Sequence, residues 1–383
     1  MATLTQTPSA DTLPTTRARP AEQIVAGIVN AQGREAKRRR KLSANRERNW
    51  LLGLTLNSFS KLGAGQRLTD LETGLVDAYR ANGYTDRELA AQGKLYDQLP
   101  PEVRGDIFPA RFAGLARGTA YSTKELQADA PQIVQAVLGM PNVTRPDADA
   151  IHAGLIHERS VPVVGRDVLA RHAGGMLVAL SSGKNPEPAS AATSKYSIKA
   201  TKFRCNDETG ADFFGADEPF WIFGALGGTN PITTRSQVFE GVDTGDSVTF
   251  SSLDGTIWGQ SGTGAPLTMP EQVGVMIQLW EHDFGDPKAI QKGVAAAFAA
   301  AKVVLTAAGA TAWIAAVVAG VGAVTEWLLG FLDDDHIADQ VFVFSRAVID
   351  EQLGKAGNTL NVSRRFTDGD GDYTLNITVT RTA

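Results

Sequence analysis

The sequence predicts an α+β multidomain chain. A mainly helical N-terminal domain over 21–180 is followed by an antiparallel β-sandwich over 196–383, into which an apolar helical hairpin at 288–332 is inserted. Three observations carry this reading. Apolar residues recur at helical spacing from Ala21 onward. Beyond Lys195 the period falls to two, in short runs divided by Gly- and Asp-rich turns. Between two of those runs lies a long stretch of Ala, Gly and Val almost free of charge. A chain of 383 residues, 43% hydrophobic and 21% charged, can bury more than one such core.

Residues 1–20 are rich in Thr, Ala and Pro and read as a flexible tail. They lack the apolar core of a signal peptide, which leaves cytoplasmic residence or export by a specialised machine equally open. Ile24, Ile28, Leu51, Leu52 and Leu54 then fall on helical apolar faces. The run from Arg34 to Lys41, with Arg46 and Arg48 after it, is the most basic stretch. No aromatic residue interleaves it, and Glu35 and Glu47 dilute it, so it reads as a solvated helix face rather than a nucleic-acid grip. Thr69 and Thr85, each with a carboxylate three residues on at Glu72 and Glu88, predict two helix starts. His152 and His157 stand five apart, off the four-residue spacing that aligns ligands on a helix, and with His172 they read as ordinary histidines. No phosphate loop, G-x-S-x-G elbow or H-E-x-x-H is present, so the chain reads as not an enzyme. The Ser/Gly/Pro-rich stretch 181–195 predicts a linker.

Strand patterns follow at 196–203, 220–223, 247–250, 273–280, 340–344 and 373–380, spaced as in an antiparallel sandwich. Residues 196–383 carry 12 Lys and Arg against 23 Asp and Glu, net −11, while 1–195 carry 25 against 19, net +6. Much of that acid sits in loops: Asn206-Asp207-Glu208, Asp217-Glu218, Glu281-His-Asp283 and Asp333-Asp334-Asp335. Two carboxylates at ~4 Å repel by roughly 4 kcal/mol at an effective dielectric near 20. Gathered loops of this kind either splay into water or hold a hard cation, and oxygen-only ligands suit Ca²⁺. A further run, Asp368-Gly-Asp370-Gly-Asp372, begins like an EF-hand loop but has Tyr373 at the sixth position and Val379 at the closing one. It reads as a turn into the last strand.

The segments Ile198-Lys-Ala-Thr-Lys-Phe-Arg-Cys-Asn-Asp207 and Asp217-Glu-Pro-Phe220-Trp-Ile-Phe resemble the C2 domain pattern. There a strand enters an Asp-bearing loop and an acidic-Pro-aromatic step opens the next strand. Ile277-Gln-Leu-Trp-Glu281-His-Asp283 and Asp335-His-Ile are similar to that family's later steps, although Glu281 stands where Asp is usual. The resemblance covers about 196–383. It implies an eight-stranded C2-like β-sandwich whose tip loops bind calcium and then phospholipid, with Asp207, Asp217 or Glu218, Glu281, Asp283 and Asp335 as metal ligands. The third loop, short in the family, here holds more than forty residues.

That long loop is the hairpin. Two helices are expected, 289–305 and 311–332, broken at Ala308-Gly309, with Lys302 interrupting the first and Glu326 the second. No charge occurs from Thr306 to Thr325, about the length of a bilayer core. Trp313, Ile314, Val317, Val318, Val321, Trp327 and Leu328 are the candidate membrane contacts. Two functions stand at this point. One is a calcium-dependent membrane-binding protein, a toxin or effector, whose hairpin enters or disrupts a phospholipid bilayer. The other is a non-enzymatic structural or cargo protein in which the sandwich is a scaffold and the hairpin a buried or homo-oligomer contact.

Overall fold

The computed structural model describes residues 21–116, 118–155, 163–181, 194–209, 216–227, 231–283, 285–309, 313–329 and 334–382. The expected tail at 1–20, the linker core at 182–193, His157 and the expected hairpin ends Thr311 and Leu332 lie outside the described residues. The chain opens with helices α1 (Ala21–Asn30), α2 (Gly33–Ala44), α3 (Trp50–Gly63), α4 (Asp70–Ala81) and α5 (Asp86–Gln98). Thr69 and Thr85 cap α4 and α5 as their spacing predicts. Each hydroxyl accepts from the backbone N–H of Glu72 or Glu88, and each carboxylate accepts from the threonine N–H in return. Two short helices, α6 (Pro101–Ile107) and α7 (Ala110–Ala113), lead to α8 (Thr123–Leu138), which Ser122 and Glu125 cap in the same way.

The region expected to be mainly helical also supplies strands. β1 (Val143–Thr144) precedes α9 (Ala148–His152) and α10 (Arg166–His172), and β2 (Gly174–Ala179) follows them. The sandwich proper is β3 (Lys195–Asp207), β4 (Pro219–Leu226), β5 (Ile232–Arg235), β6 (Ser247–Thr249), β7 (Thr256–Trp258), β8 (Leu267–Thr268), β9 (Gln272–Glu281), β10 (Asp335–Ser345), β11 (Thr359–Thr367) and β12 (Asp372–Arg381). One sheet runs β11-β12-β3-β6, with β7 and β8 also paired to β3; the other runs β1-β2-β10-β9-β4-β5. Pairing is antiparallel except where β2 joins β10 and β1 joins β2. That parallel addition covers the edge that β10 would otherwise expose.

Side chains alternate across β4. Trp221 and Phe223 face the inter-sheet core with Phe203, Ile277 and Tyr373, while Phe220 and Ile222 face the other way. Strands β4 and β9 therefore read as unbroken apolar runs, because both their faces are covered. What covers the outer face is the hairpin, α11 (Pro287–Ala308) and α12 (Ile314–Leu329). Asp286 caps α11 by accepting from the Lys288 N–H, Pro287 takes its first turn, and Gly309 at φ 70° ends it. The hairpin, α3, α4, α5 and α8 pack with the outer sheet face into one continuous core. A final helix, α13 (Arg346–Leu353), follows β10.

Candidate functional site

Strand direction brings the acidic loops to one end of the sandwich. Strands β3 and β9 finish there, and β4, β10 and β12 begin there. Glu281 and Asp335 are paired in register across β9 and β10. Glu281 accepts a 3.3 Å bond from the Glu218 N–H. Burial, then the neighbouring charge of Asp283 and the more distant one of Asp217, pushes the Glu281 carboxyl up to about 8. Asp334, at its side, is buried. Its Oδ1 accepts from the Asp283 and Gly285 N–H groups at 3.2 and 2.7 Å and lies 3.1 Å from His282 Nδ1. Its Oδ2 is buried without a hydrogen-bond partner. The sequence reading placed Asp334 in an acidic run without giving it a role; the signal available was the triple aspartate itself.

The first-loop residues are placed differently. Asp217 is turned inward, its two oxygens accepting from the Thr209 hydroxyl and N–H at 2.7 and 2.8 Å and from the Tyr373 hydroxyl. Asp207 is exposed at the end of β3, opposite Asp372. Among the described residues, no three His, Cys, Asp or Glu side chains already stand in a metal-holding group. Of the expected ligand set, Glu281, Asp283 and Asp335 lie at this root of the hairpin, beside the Asp334 carboxylate.

The basic run corrects a second expectation. Its lysines do not form a solvated face; they meet the acidic end of the sandwich. Lys37 Nζ lies 2.9 Å from both Asp368 and Asp370, and Lys41 Nζ lies 3.2 Å from Asp368. Burial opposes ionisation of Asp368, but the charges of Lys41 and Lys37 win and hold its carboxyl well below the usual range. Lys41 also donates to the His336 and Ile337 carbonyls. On α12, Glu326 lies 2.6 Å from His336 Nδ1. Although burial raises its pKa, the Lys41 charge, the His336 bond and the Arg38 charge bring Glu326 down to about 2. Arg48 completes the seam with a two-pronged pair to Asp339, at 3.0 and 3.1 Å. The turn at 368–371 thus has lysines where a metal would otherwise neutralise it.

The candidate membrane contacts Trp313, Ile314, Val317, Val318, Val321, Trp327 and Leu328 are all buried, and no residue of α12 is exposed. They meet a surface shaped for them. Trp50 Nε1 donates to the Ala316 carbonyl at 3.2 Å, Trp327 Nε1 to Gln92 at 3.1 Å, and Gln278 Nε2 to Thr325 at 2.7 Å. In this conformation the protein's own helices and sheet cover them. Among the described residues, helix α11 alone is long and apolar enough to cross a membrane, and half of its most apolar window is buried.

No protein family matches the sequence, and no curated protein matches it. Among solved structures, the chain is similar to human GIVD cytosolic phospholipase A2 in complex with methyl gamma-linolenyl fluorophosphonate, at 7% identity and a TM-score of 0.25, over 49% of this chain and 17% of that one. It is likewise similar to the same protein with that inhibitor and terbium chloride, at 8% identity and a TM-score of 0.23, over 49% and 17%. The match thus spans about a sixth of those chains. The chain reads from its sequence as not an enzyme, whereas the solved chains it is similar to are phospholipases; likeness at this level assigns neither an activity nor an active-site residue here.

Proposed function

We propose that this chain acts at phospholipid bilayers: a C2-like sandwich binds the surface through its acidic tip, with calcium, and stores at that tip an apolar hairpin for the membrane. The observation that carries this reading is where the hairpin is rooted. Glu281 closes β9, Asp335 opens β10, and the two are paired across the strands, with a single bulge at Ile337 before the regular ladder resumes. The sheet does not need the hairpin to close. Glu281, Asp283, Asp335 and Asp334 would hold the cation, whose chemistry is to neutralise the tip and bridge it to headgroup phosphate. At 22 residues, α11 has the length of a bilayer core. For the hairpin to leave, Glu326 must part from His336, which ties release to the charge at the same root.

A second reading has packing behind it. Gly320 lies so close to α3 that an added Cβ would stand 2.7 Å from the Leu51 Cβ, a fit that suits a hairpin fixed as core. The tip alone would then contact lipid. A reversible lock separates the two. A Cβ built on Gly274 stands 3.3 Å from the Val318 Cβ, close to the disulfide range of about 3.5–4.5 Å. The Gly274→Cys/Val318→Cys protein should release dye from anionic vesicles in calcium when reduced and should stop when oxidised. Equal leakage in both states would assign the activity to the tip. Absence of any calcium-dependent vesicle binding by the wild type would reject the membrane function altogether.

A further inference from the structure

We propose that the gap between the two sheets, away from the acidic tip, binds the apolar end of a single unbranched hydrocarbon chain. The observation that carries this is a sandwich that does not seal along one side. Through most of the inter-sheet layer the inward-facing side chains are fully buried, as at Phe203, Trp221, Phe223 and Ile277. Where β2 and β10 face β11 they are not. Leu177 and Phe342 are register partners on β2 and β10, and Leu360 and Val362 of β11 stand across the gap from them. On β11 these two alternate with exposed Asn361 and Ser363, so their side chains point inward. All four apolar residues are nevertheless only half-buried. Behind them lies a cavity of about 80 Å³, walled by Ala179, Val275, Ile277, Ile377 and Val379 among others. Ala179 is the register partner of Phe344, and its small side chain leaves depth that a longer one would fill.

The walls decide what occupies this space. Water has room, since one molecule needs about 10–15 Å³, but it also needs roughly two to four polar partners. Among the described residues, Gln352 of α13 is the one polar side chain in the wall. A peptide segment, from a second copy or another protein, would bring N–H and C=O groups against walls that cannot bond them. A charged group meets the same difficulty: among the described residues no Asp, Glu, Lys, Arg or His borders the cavity. Hydrocarbon carries none of these groups, and apolar cavities of this kind stay dry and take apolar guests. Size then selects among hydrocarbons. A cavity of about 150 Å³ is what accommodates benzene, and this one, at about 80 Å³, suits a chain in single file rather than a ring. The half-buried residues at the opening let the polar end of the molecule stay in water. Exposed Asn361 and Ser363 flank that opening, a rim suited to solvent rather than to a bilayer, so the chain arrives as a free molecule.

The probe is 1-octanol, and 1,8-octanediol, the same chain without an apolar end, is the control. In methyl NMR of the intact protein, the Val275, Ile277, Ile377 and Val379 signals should shift saturably with octanol. The diol should need at least about tenfold more for the same shift, because one of its hydroxyls would be buried without a partner. Vesicles of neutral phosphatidylcholine should leave the same signals in place. Ala179→Phe, which fills the inner end, should lose the octanol shifts. Should that variant fail to fold, the wild type decides: bound octanol should give nuclear Overhauser effects to those methyls, and water should give none. Methyls unmoved up to the solubility of octanol, equal potency of alcohol and diol, shifts produced by vesicles, water contacts inside the cavity, or undiminished shifts in folded Ala179→Phe would each overturn the assignment.

Discussion

Glu281 is where the charge balance at the tip is least satisfied. Asp368, equally surrounded by acid, has Lys37 and Lys41 beside it; Glu281 has Asp283 and Asp335. Burial, with the charge of Asp283 added to it, pushes its carboxyl up to about 8 from an ordinary value of 4.5. The folded protein thus holds a proton in a range where the unfolded chain has lost it. The associated stability is complete below the unfolded value, and it is lost as pH rises through the folded one. Urea midpoints of the wild type should therefore fall, relative to those of Glu281→Gln, between about pH 5 and pH 8.5. A cation between Glu281 and Asp283 favours the ionised form, so millimolar calcium should shrink the difference. Parallel pH curves for the two proteins would show that the tip is better neutralised than its side chains indicate.

At the scale of elements, the seating of the hairpin is decided by glycines on its neighbours. A Cβ on Gly224 of β4 would stand 1.9 Å from Phe298 Cε2 of α11, nearer than atoms can approach. Gly224→Ala should therefore cost at least about 1–3 kcal/mol by denaturant unfolding, the range for an overpacked core. Adding Phe298→Leu should recover part of that loss, because the smaller side chain vacates the space. A neutral Gly224→Ala would mean that α11 can lift from the sheet without penalty, which favours the stored hairpin over the fixed one. Local signals such as Thr69 with Glu72 and the helix break at Gly309 were legible in the sequence, because each depends only on residues within a turn or two. Strand β2 was not. Gly-Gly-Met-Leu-Val-Ala is a short apolar run that helix and strand can both accommodate, and what makes it a strand is β10, more than 150 residues away. The partner of the basic run was hidden for the same reason: Lys41 and Asp368 meet only in three dimensions.

The whole molecule is held together by that meeting of distant parts. Residues 1–195 carry a net charge of +6 and residues 196–383 one of −11, yet much of that charge is turned inward. Lys37 and Lys41 reach Asp368, Arg48 grips Asp339, and Glu326 lies among Lys41, Arg38 and His336. Apolar contact follows the same route. Helix α12, inserted between two strands of the C-terminal half, is enclosed by α3 and α8 from the N-terminal half, and β2 extends the C-terminal sheet. The Ser/Gly/Pro stretch therefore divides the sequence without dividing the core. A protease site placed within residues 182–193 tests this directly. After complete cleavage the two pieces should still co-elute on gel filtration and unfold in one transition, because neither can cover α12 alone: continuous apolar surface of that extent does not stay exposed on a soluble monomer. Separation should require denaturant. Pieces that part in native buffer, with a stable folded fragment beginning near Lys195, would restore the picture of two independent domains and would leave the hairpin to be covered by some other molecule.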